Sequence, residues 1–144
     1  VIQDAIELMS NQIQEQHCTL SYQPTDSKIF VLAEPIRLEQ VMVNLISNAV
    51  DALSSSPLKQ LSILVYEHDD KIMIDVKDTG IGIEEDNLDQ IFDPFFTQKE
   101  VGQGLGLGLS ISYNIVQDFG GQIRVTSTPE DGSRFTLELK KAEK

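Results

Sequence analysis

The sequence predicts an α+β fold, a two-layer α/β sandwich with about three helices packed on one face of a mixed, mainly antiparallel sheet. Three observations lead there. Segments of helical and of strand period come in blocks and not as strict βαβ units, which argues against an all-parallel sheet. Most strand segments come in pairs around short turn sequences, as antiparallel hairpins do. A chain of 144 residues, 40% apolar and 24% charged, suits one globular domain that buries roughly two thirds of its unfolded surface.

Along the chain, Val1 to Gln16 carries Ile2, Ala5, Ile6, Met9 and Ile13 at helical spacing and is expected as a first helix. Cys18 to Gln23 and Lys28 to Leu32 alternate as two short strands around Pro24-Thr25-Asp26-Ser27, an expected hairpin. Pro35 sits where a first helical turn tolerates proline, IRLEQVMVNLISNAVDAL continues a second helix to Leu53, and Ser54-Ser55-Ser56-Pro57 stops it. Leu61 to Glu67 and Lys71 to Lys77 are β-rich around the turn His68-Asp69-Asp70. Gly80 to Gly104 has no clear period and exceeds the usual ceiling of about 12 to 15 residues for a structureless loop, so a lid or binding loop is expected. Leu107 to Phe119 brings Gly108, Ile111, Ser112, Ile115, Val116 and Phe119 onto one face of a third helix, which Gly120-Gly121 ends. Gln122 to Ser127 and Arg134 to Leu139 are the last strands, around Pro129-Glu130-Asp131-Gly132.

A net charge of −12 argues against attraction to nucleic acid or anionic lipid, because the long-range field repels polyanions. A phosphate ligand would then need a metal ion and locally placed amides. No apolar run approaches the roughly 18 to 20 residues that span a bilayer, and the single Cys18 cannot form an internal disulfide. The chain opens directly on a helical pattern with no signal-like segment, and reads as a piece of a longer protein.

Four stretches hold candidate chemistry. On the second helix Arg37, Gln40, Asn44, Asn48 and Asp51 fall within an arc of roughly 80°, beside a broad apolar arc. Such a stripe is usually a solvated face, but asparagine is a poor helix former, and Asn44 and Asn48 could present amide oxygens to a hard cation. In KIMIDVKD, Asp78 shares the parity of Ile72, Ile74 and Val76 and should point towards the core. Its carboxylate then needs donors, either the amides of the Asp78-Thr79-Gly80 turn or an amino group of a bound base, with Gly80 and Gly82 leaving room for a flat ring. Gly102, Gly104, Gly106 and Gly108 alternate just before the third helix without the spacing of a dinucleotide fingerprint or the lysine of a P-loop. They make either a hinge or a set of amides converging on phosphate at a helix N-terminus. Phe92, Phe95 and Phe96 either pin the long loop to the core or form the docking end of a lid, with Lys99 reaching towards phosphate.

With these residues in view, the chain resembles the ATP-binding catalytic domain of sensor histidine kinases, in the superfamily shared with gyrase, heat-shock chaperones and mismatch-repair ATPases. NLISNAVDAL resembles the N box, DTGIGI the first glycine box, IFDPFFTQKE the phenylalanine box and GQGLGLGLS the second glycine box. Four motifs in order are far more specific than any one. The run FDPFFTQKEVGQGLGLGLSISYNIVQDFGG is most similar to C4-dicarboxylate and nitrogen-responsive sensor kinases.

The resemblance implies a Bergerat-type ATP-binding fold over residues 1–144, with ATP and Mg²⁺ as cofactors. It implies that Asn48 ligates Mg²⁺, that Asn44 lines the same site and that Asp78 accepts from the adenine amine beside Gly80 and Gly82. Gly104, Leu105, Gly106, Leu107 and Gly108 would cradle phosphate, with Lys99 near it and Ser133 near the base. Asp51 stands where many members carry a lysine, so no basic phosphate contact is implied from that position of the helix. Relatives that hydrolyse ATP carry a glutamate where this chain has Asn44, and an amide cannot act as that base. The implied activity is therefore phosphoryl transfer to a histidine on dimerisation helices of a parent kinase, for relay to a response-regulator receiver domain.

Neither His17, followed by Cys18-Thr19, nor His68, in a turn, stands in the acceptor's context, so the acceptor is expected upstream of Val1. The parent is expected as an inner-membrane receptor with this domain in the cytoplasm. The piece itself is expected to be monomeric, without nucleic-acid or direct membrane contact. Two alternatives remain: a serine kinase of the anti-sigma type, against which Asn44 speaks, and a degenerate nucleotide- or partner-binding scaffold.

Overall fold

The computed structural model describes residues 2–15, 17–23, 35–53, 58–80, 82, 108–128 and 132–141. In chain order these form α1 (Ile2–Leu8), α2 (Ser10–Glu15), β1 (Thr19–Gln23), α3 (Pro35–Leu53), β2 (Gln60–His68), β3 (Lys71–Asp78), α4 (Gly108–Asp118), β4 (Gln122–Thr128) and β5 (Gly132–Lys140). The five strands make one sheet in the order β1-β2-β3-β5-β4, parallel between β1 and β2 and antiparallel elsewhere. The mixed, mainly antiparallel two-layer sandwich expected from the sequence is thus found.

Register explains which face the helices cover. Ile63, Val76, Phe135 and Val125 lie side by side in one row across β2, β3, β5 and β4, as do Val65, Ile74, Leu137 and Ile123 in the next. Val41, Met42, Leu45, Ile46 and Leu53 of α3 close over these rows, with Ala5 and Met9 from one side and Ile115 and Val116 of α4 from the other. The row after Ile63–Val76–Phe135–Val125 reads Leu61, Asp78, Ser133 and Ser127, so the core face turns polar at one end of the sheet.

Two differences from the sequence reading have identifiable causes, at the first helix and on α4. The expected first helix is interrupted at Met9, where the amide is shared between the carbonyls of Ala5 (3.1 Å) and Ile6 (3.2 Å). The Ser10 hydroxyl donates to the Glu7 carbonyl at 2.8 Å, a local side-chain bond that competes with the helical ladder and bends it. The helical period survives the bend, since Ala5, Met9 and Ile13 all reach the core. β1 pairs with β2 in parallel, whereas its expected hairpin partner Lys28 to Leu32 lies outside the described residues. On α4, Ser112, Ile115 and Val116 are buried but Ile111 is exposed, because it stands about 100° from Ser112, past the edge of the packed arc.

The β2–β3 hairpin turns at Asp69 and Asp70 with φ of 51° and 63°. Positive φ at both central residues is the type I′ geometry that matches strand twist, and it usually recruits glycine. Asp70→Gly should therefore raise unfolding free energy by about 0.5–1 kcal/mol, the relief of left-handed strain less the added unfolded-state entropy. Urea denaturation of the two proteins checks it, and no change in slope is expected.

Candidate functional site

Asp78, Gly80 and Ser133, three of the sequence-predicted residues, stand at the polar end of the core face. Asp78, the last residue of β3, is 1% exposed. Its Oδ1 accepts the Gly80 amide at 2.9 Å, and the Ser133 amide also donates to the carboxylate. Burial pushes this carboxyl above its ordinary value, and these two amides only partly oppose the shift. The Gly80 amide of the turn thus caps Asp78, one of the two arrangements its parity left open. A carboxylate offers about four acceptor positions, so two amides leave capacity for a further donor.

The backbone around Asp78 is clipped in place. Thr79 Oγ1 donates to the Leu58 carbonyl at 2.6 Å and accepts the Gln60 amide at 3.0 Å, which ties the turn after β3 to the start of β2. Gly80 lies against the last turn of α3, where a Cβ would overlap the carbonyl of Ala52. That close approach is to the helix, so the packing need for Gly80 differs from the room for a ring expected from sequence. Gly82 is buried with φ of 73°. Gly132 opens β5 at φ of 109°, and a Cβ there would overlap the Asp78 carbonyl. Ser133, paired with Asp78 across the sheet, shares a hydroxyl contact of 2.9 Å with Ser127.

The second part of the site is the polar face of α3. Asn44, Asn48 and Ala52 are spaced one turn apart, so the face that meets Gly80 at Ala52 carries Asn48 about one turn and Asn44 about two turns back. Both asparagines are half-buried. Asn44 Nδ2 donates to the Oγ of Ser112 at 3.1 Å. At the other end of α3, Arg37 pairs with Asp118 at 2.8 Å, with its guanidinium carbon 5.6 Å from the centre of the Phe119 ring. α3 and α4 therefore run antiparallel. One turn beyond the Asn44–Ser112 contact on each helix, Asn48 stands level with Gly108, the first residue of α4.

That register places the N-terminus of α4 beside Asn48, and the positive end of a helix dipole is suited to anions. Arg37 is drawn to the far end of α4, while Gln40 and Asp51 are exposed. Lys99, Gly104, Leu105, Gly106, Leu107 and the three phenylalanines of the long loop lie outside the described residues. Among the described residues no group of three or more His, Cys, Asp or Glu side chains is arranged to hold a metal ion. Ser112 and Gly132 were not singled out from sequence as site residues; a serine inside the apolar arc of α4 was the available signal for the first.

Two expected outcomes follow from the geometry. The folded chain holds the Asp78 proton more tightly than the unfolded chain, so the contribution of this carboxyl to stability is full below its unfolded value and is lost as pH rises through the higher folded value. Thermal melts of wild type and Asp78→Asn from about pH 3 to about pH 8 should show the wild type losing ground to the variant as pH rises. Gly80→Ala should force the β3 turn away from Ala52 and destabilise by about 1–3 kcal/mol, the usual range for an overpacked contact, read by chemical denaturation.

Comparison with known proteins identifies the family and the fold. The family described as Histidine kinase-, DNA gyrase B-, and HSP90-like ATPase matches residues 33–143. The sensor histidine kinase ZraS of Escherichia coli K12 is 37% identical over 139 residues, covering 96% of this chain and 29% of the relative. The C4-dicarboxylate transport sensor protein DctB of Rhizobium meliloti is 37% identical over 142 residues, covering 99% of this chain and 22% of the relative. The chain thus spans under a third of the length of these curated relatives. Among solved structures, the nucleotide-free catalytic domain of histidine kinase ThkA superposes with a TM-score of 0.84 at 29% identity, over 99% of this chain and 92% of that one. Full-length ShkA in complex with AMPPNP superposes with a TM-score of 0.86 at 26% identity, over 99% of this chain and 30% of that one. With a buried strand-end aspartate, an asparagine-bearing helix and a matching family over most of its length, the chain belongs to the histidine kinase-, DNA gyrase B- and HSP90-like ATPases, as an ATP-binding domain of the sensor histidine kinase type.

Proposed function

We propose that this domain binds Mg·ATP between α3, α4 and the Asp78 turn, and donates the γ-phosphoryl group to a histidine of a longer parent kinase. The observation that carries this reading is the register of the two helices. Asn48 stands level with the N-terminus of α4 and one turn from the Ala52–Gly80 contact that leads to Asp78. A base at one end and a polyphosphate at the other would be served by groups of opposite preference: a carboxylate acceptor, and the N-terminus of a helix.

Asp78, ionised, would accept from the exocyclic amine of adenine, with Ser133 beside it. Asn48 would supply one oxygen to Mg²⁺, which suits a cation that keeps waters and takes most of its remaining ligands from phosphate. When bound, that ion neutralises phosphate charge. The amides of Gly104, Leu105, Gly106, Leu107 and Gly108 would close on the phosphates, with Lys99 adding a cation. They offer local attraction that a chain of net charge −12 lacks at long range. Asn44 cannot take a proton from water, so hydrolysis would be slow and the phosphoryl group kept for a positioned acceptor. Catalysis is then mainly alignment of donor and acceptor.

The acceptor would be a histidine on dimerisation helices of the parent, with onward transfer to a response-regulator aspartate. No helix among the described residues is long and apolar enough to cross a membrane, and the parent is proposed as a membrane receptor with this domain on the cytoplasmic side.

Calorimetric titration of ATP with and without Mg²⁺ should show binding that strengthens with the ion. Asp78→Asn should weaken it by about 10-fold or more, and Asn48→Ala should remove most of the Mg²⁺ dependence. Adding a histidine-bearing helical domain with labelled ATP should give acid-labile, base-stable label on the acceptor. Lys99→Ala should slow that transfer more than it weakens binding. Absence of ATP binding to the wild type, or rapid hydrolysis with no acceptor present, would overturn the assignment.

A further inference from the structure

The Asn44–Ser112 bond points to a role for a residue that none of the four motif resemblances assigns. Ser112 is 0% exposed, in the middle of α4 and on the arc that packs against α3. Serine offers a buried helix face little apolar area and a hydroxyl that must be satisfied. Here the hydroxyl receives Asn44 Nδ2 at 3.1 Å across the helix pair, a contact made between residues 68 positions apart. A primary amide has two chemically distinct edges, an acceptor oxygen and a donor nitrogen, and without a directing partner it can rotate to present either. Binding the nitrogen edge to α4 orients the oxygen edge of Asn44 away from Ser112.

We infer that Ser112 is a positioning residue: it holds the Asn44 amide in one orientation at the site of phosphoryl transfer. The inference rests on the nucleotide-binding reading above for its consequence in catalysis, but not for the orientation itself. If Asn44 turned freely, its NH₂ and its carbonyl would alternate at the reacting end of the nucleotide, and only a fraction of complexes would present the right edge. The bond also crosses from α3 to the helix whose first turn stands level with Asn48, so the same hydroxyl links the orientation of one asparagine to the register of the other.

The test has two arms on the whole 144-residue chain. In the first, the side-chain amide of Asn44 is followed by ¹⁵N relaxation in wild type, Ser112→Ala and Ser112→Thr, without nucleotide. An ordered amide in wild type and Ser112→Thr that becomes mobile in Ser112→Ala is expected. Equal mobility in wild type and Ser112→Ala overturns the inference whether or not the domain binds ATP. In the second arm, transfer to a histidine-bearing helical domain is measured at saturating Mg·ATP. Ser112→Ala should lower the rate by about 3- to 10-fold, with ATP affinity and melting temperature nearly unchanged, and Ser112→Thr should restore it. In an Asn44→Ala background, Ser112→Ala should have no further effect on rate. Independent, multiplying losses, or a loss confined to melting temperature, would show Ser112 to be packing alone. A wild type that binds no ATP would sink the proposed function while the relaxation arm still decides the orientation.

Discussion

Burial of the Asp78 carboxylate on the sheet face that also carries Ile74 and Val76 is a desolvation cost, and much of the nearby backbone is arranged around meeting it. Two amides from opposite directions, Gly80 on the following turn and Ser133 on β5, donate to it. Gly132 lets β5 approach closely enough for that, and Thr79 holds the turn to the start of β2. Burial still outweighs these bonds, since the carboxyl stays above its ordinary range. A group held in that condition gains from one more donor.

Helix α3 joins this acceptor to the other half of the site. Its apolar arc is the largest contribution any described helix makes to the core, and along its length it meets three different partners in order: the end of α4 at Arg37, Ser112 at Asn44 and Gly80 at Ala52. The exposed Arg37–Asp118 pair is worth little by itself, about 0–1 kcal/mol, although the Phe119 ring beneath the guanidinium adds area and a cation–π contribution. Its larger consequence is geometric. Together with the Asn44–Ser112 bond it marks two points of one antiparallel register, and that register brings the N-terminus of α4 level with Asn48.

Much of this was legible in sequence because it depends on period and parity. Alternation in KIMIDVKD put Asp78 on the core face, and the structure places it in the row after Val76 for that reason. The helical span Pro35–Leu53, the two hairpins around Asp69-Asp70 and before Gly132, and the end of α4 were readable from proline, glycine and apolar spacing. The break at Met9 was not, because the Ser10 hydroxyl bond to Glu7 leaves the apolar period intact. Nor was the parallel pairing of β1 with β2, since strand period carries no direction. The glycine at position 80 was read as room for a ligand, and its tightest neighbour is a helix carbonyl from a residue 28 positions earlier.

The sequence by itself determined the class of fold, the faces of its helices and strands, and the polar residues set on those faces, because each of these follows from local spacing and side-chain chemistry. Tertiary structure alone decided which of those residues stand together. Antiparallel packing of α3 on α4 sets Asn48 beside a helix N-terminus, and a hydroxyl 68 residues away holds Asn44. Such contacts depend on how two separately encoded faces dock, a property of the packed core that no window of sequence contains.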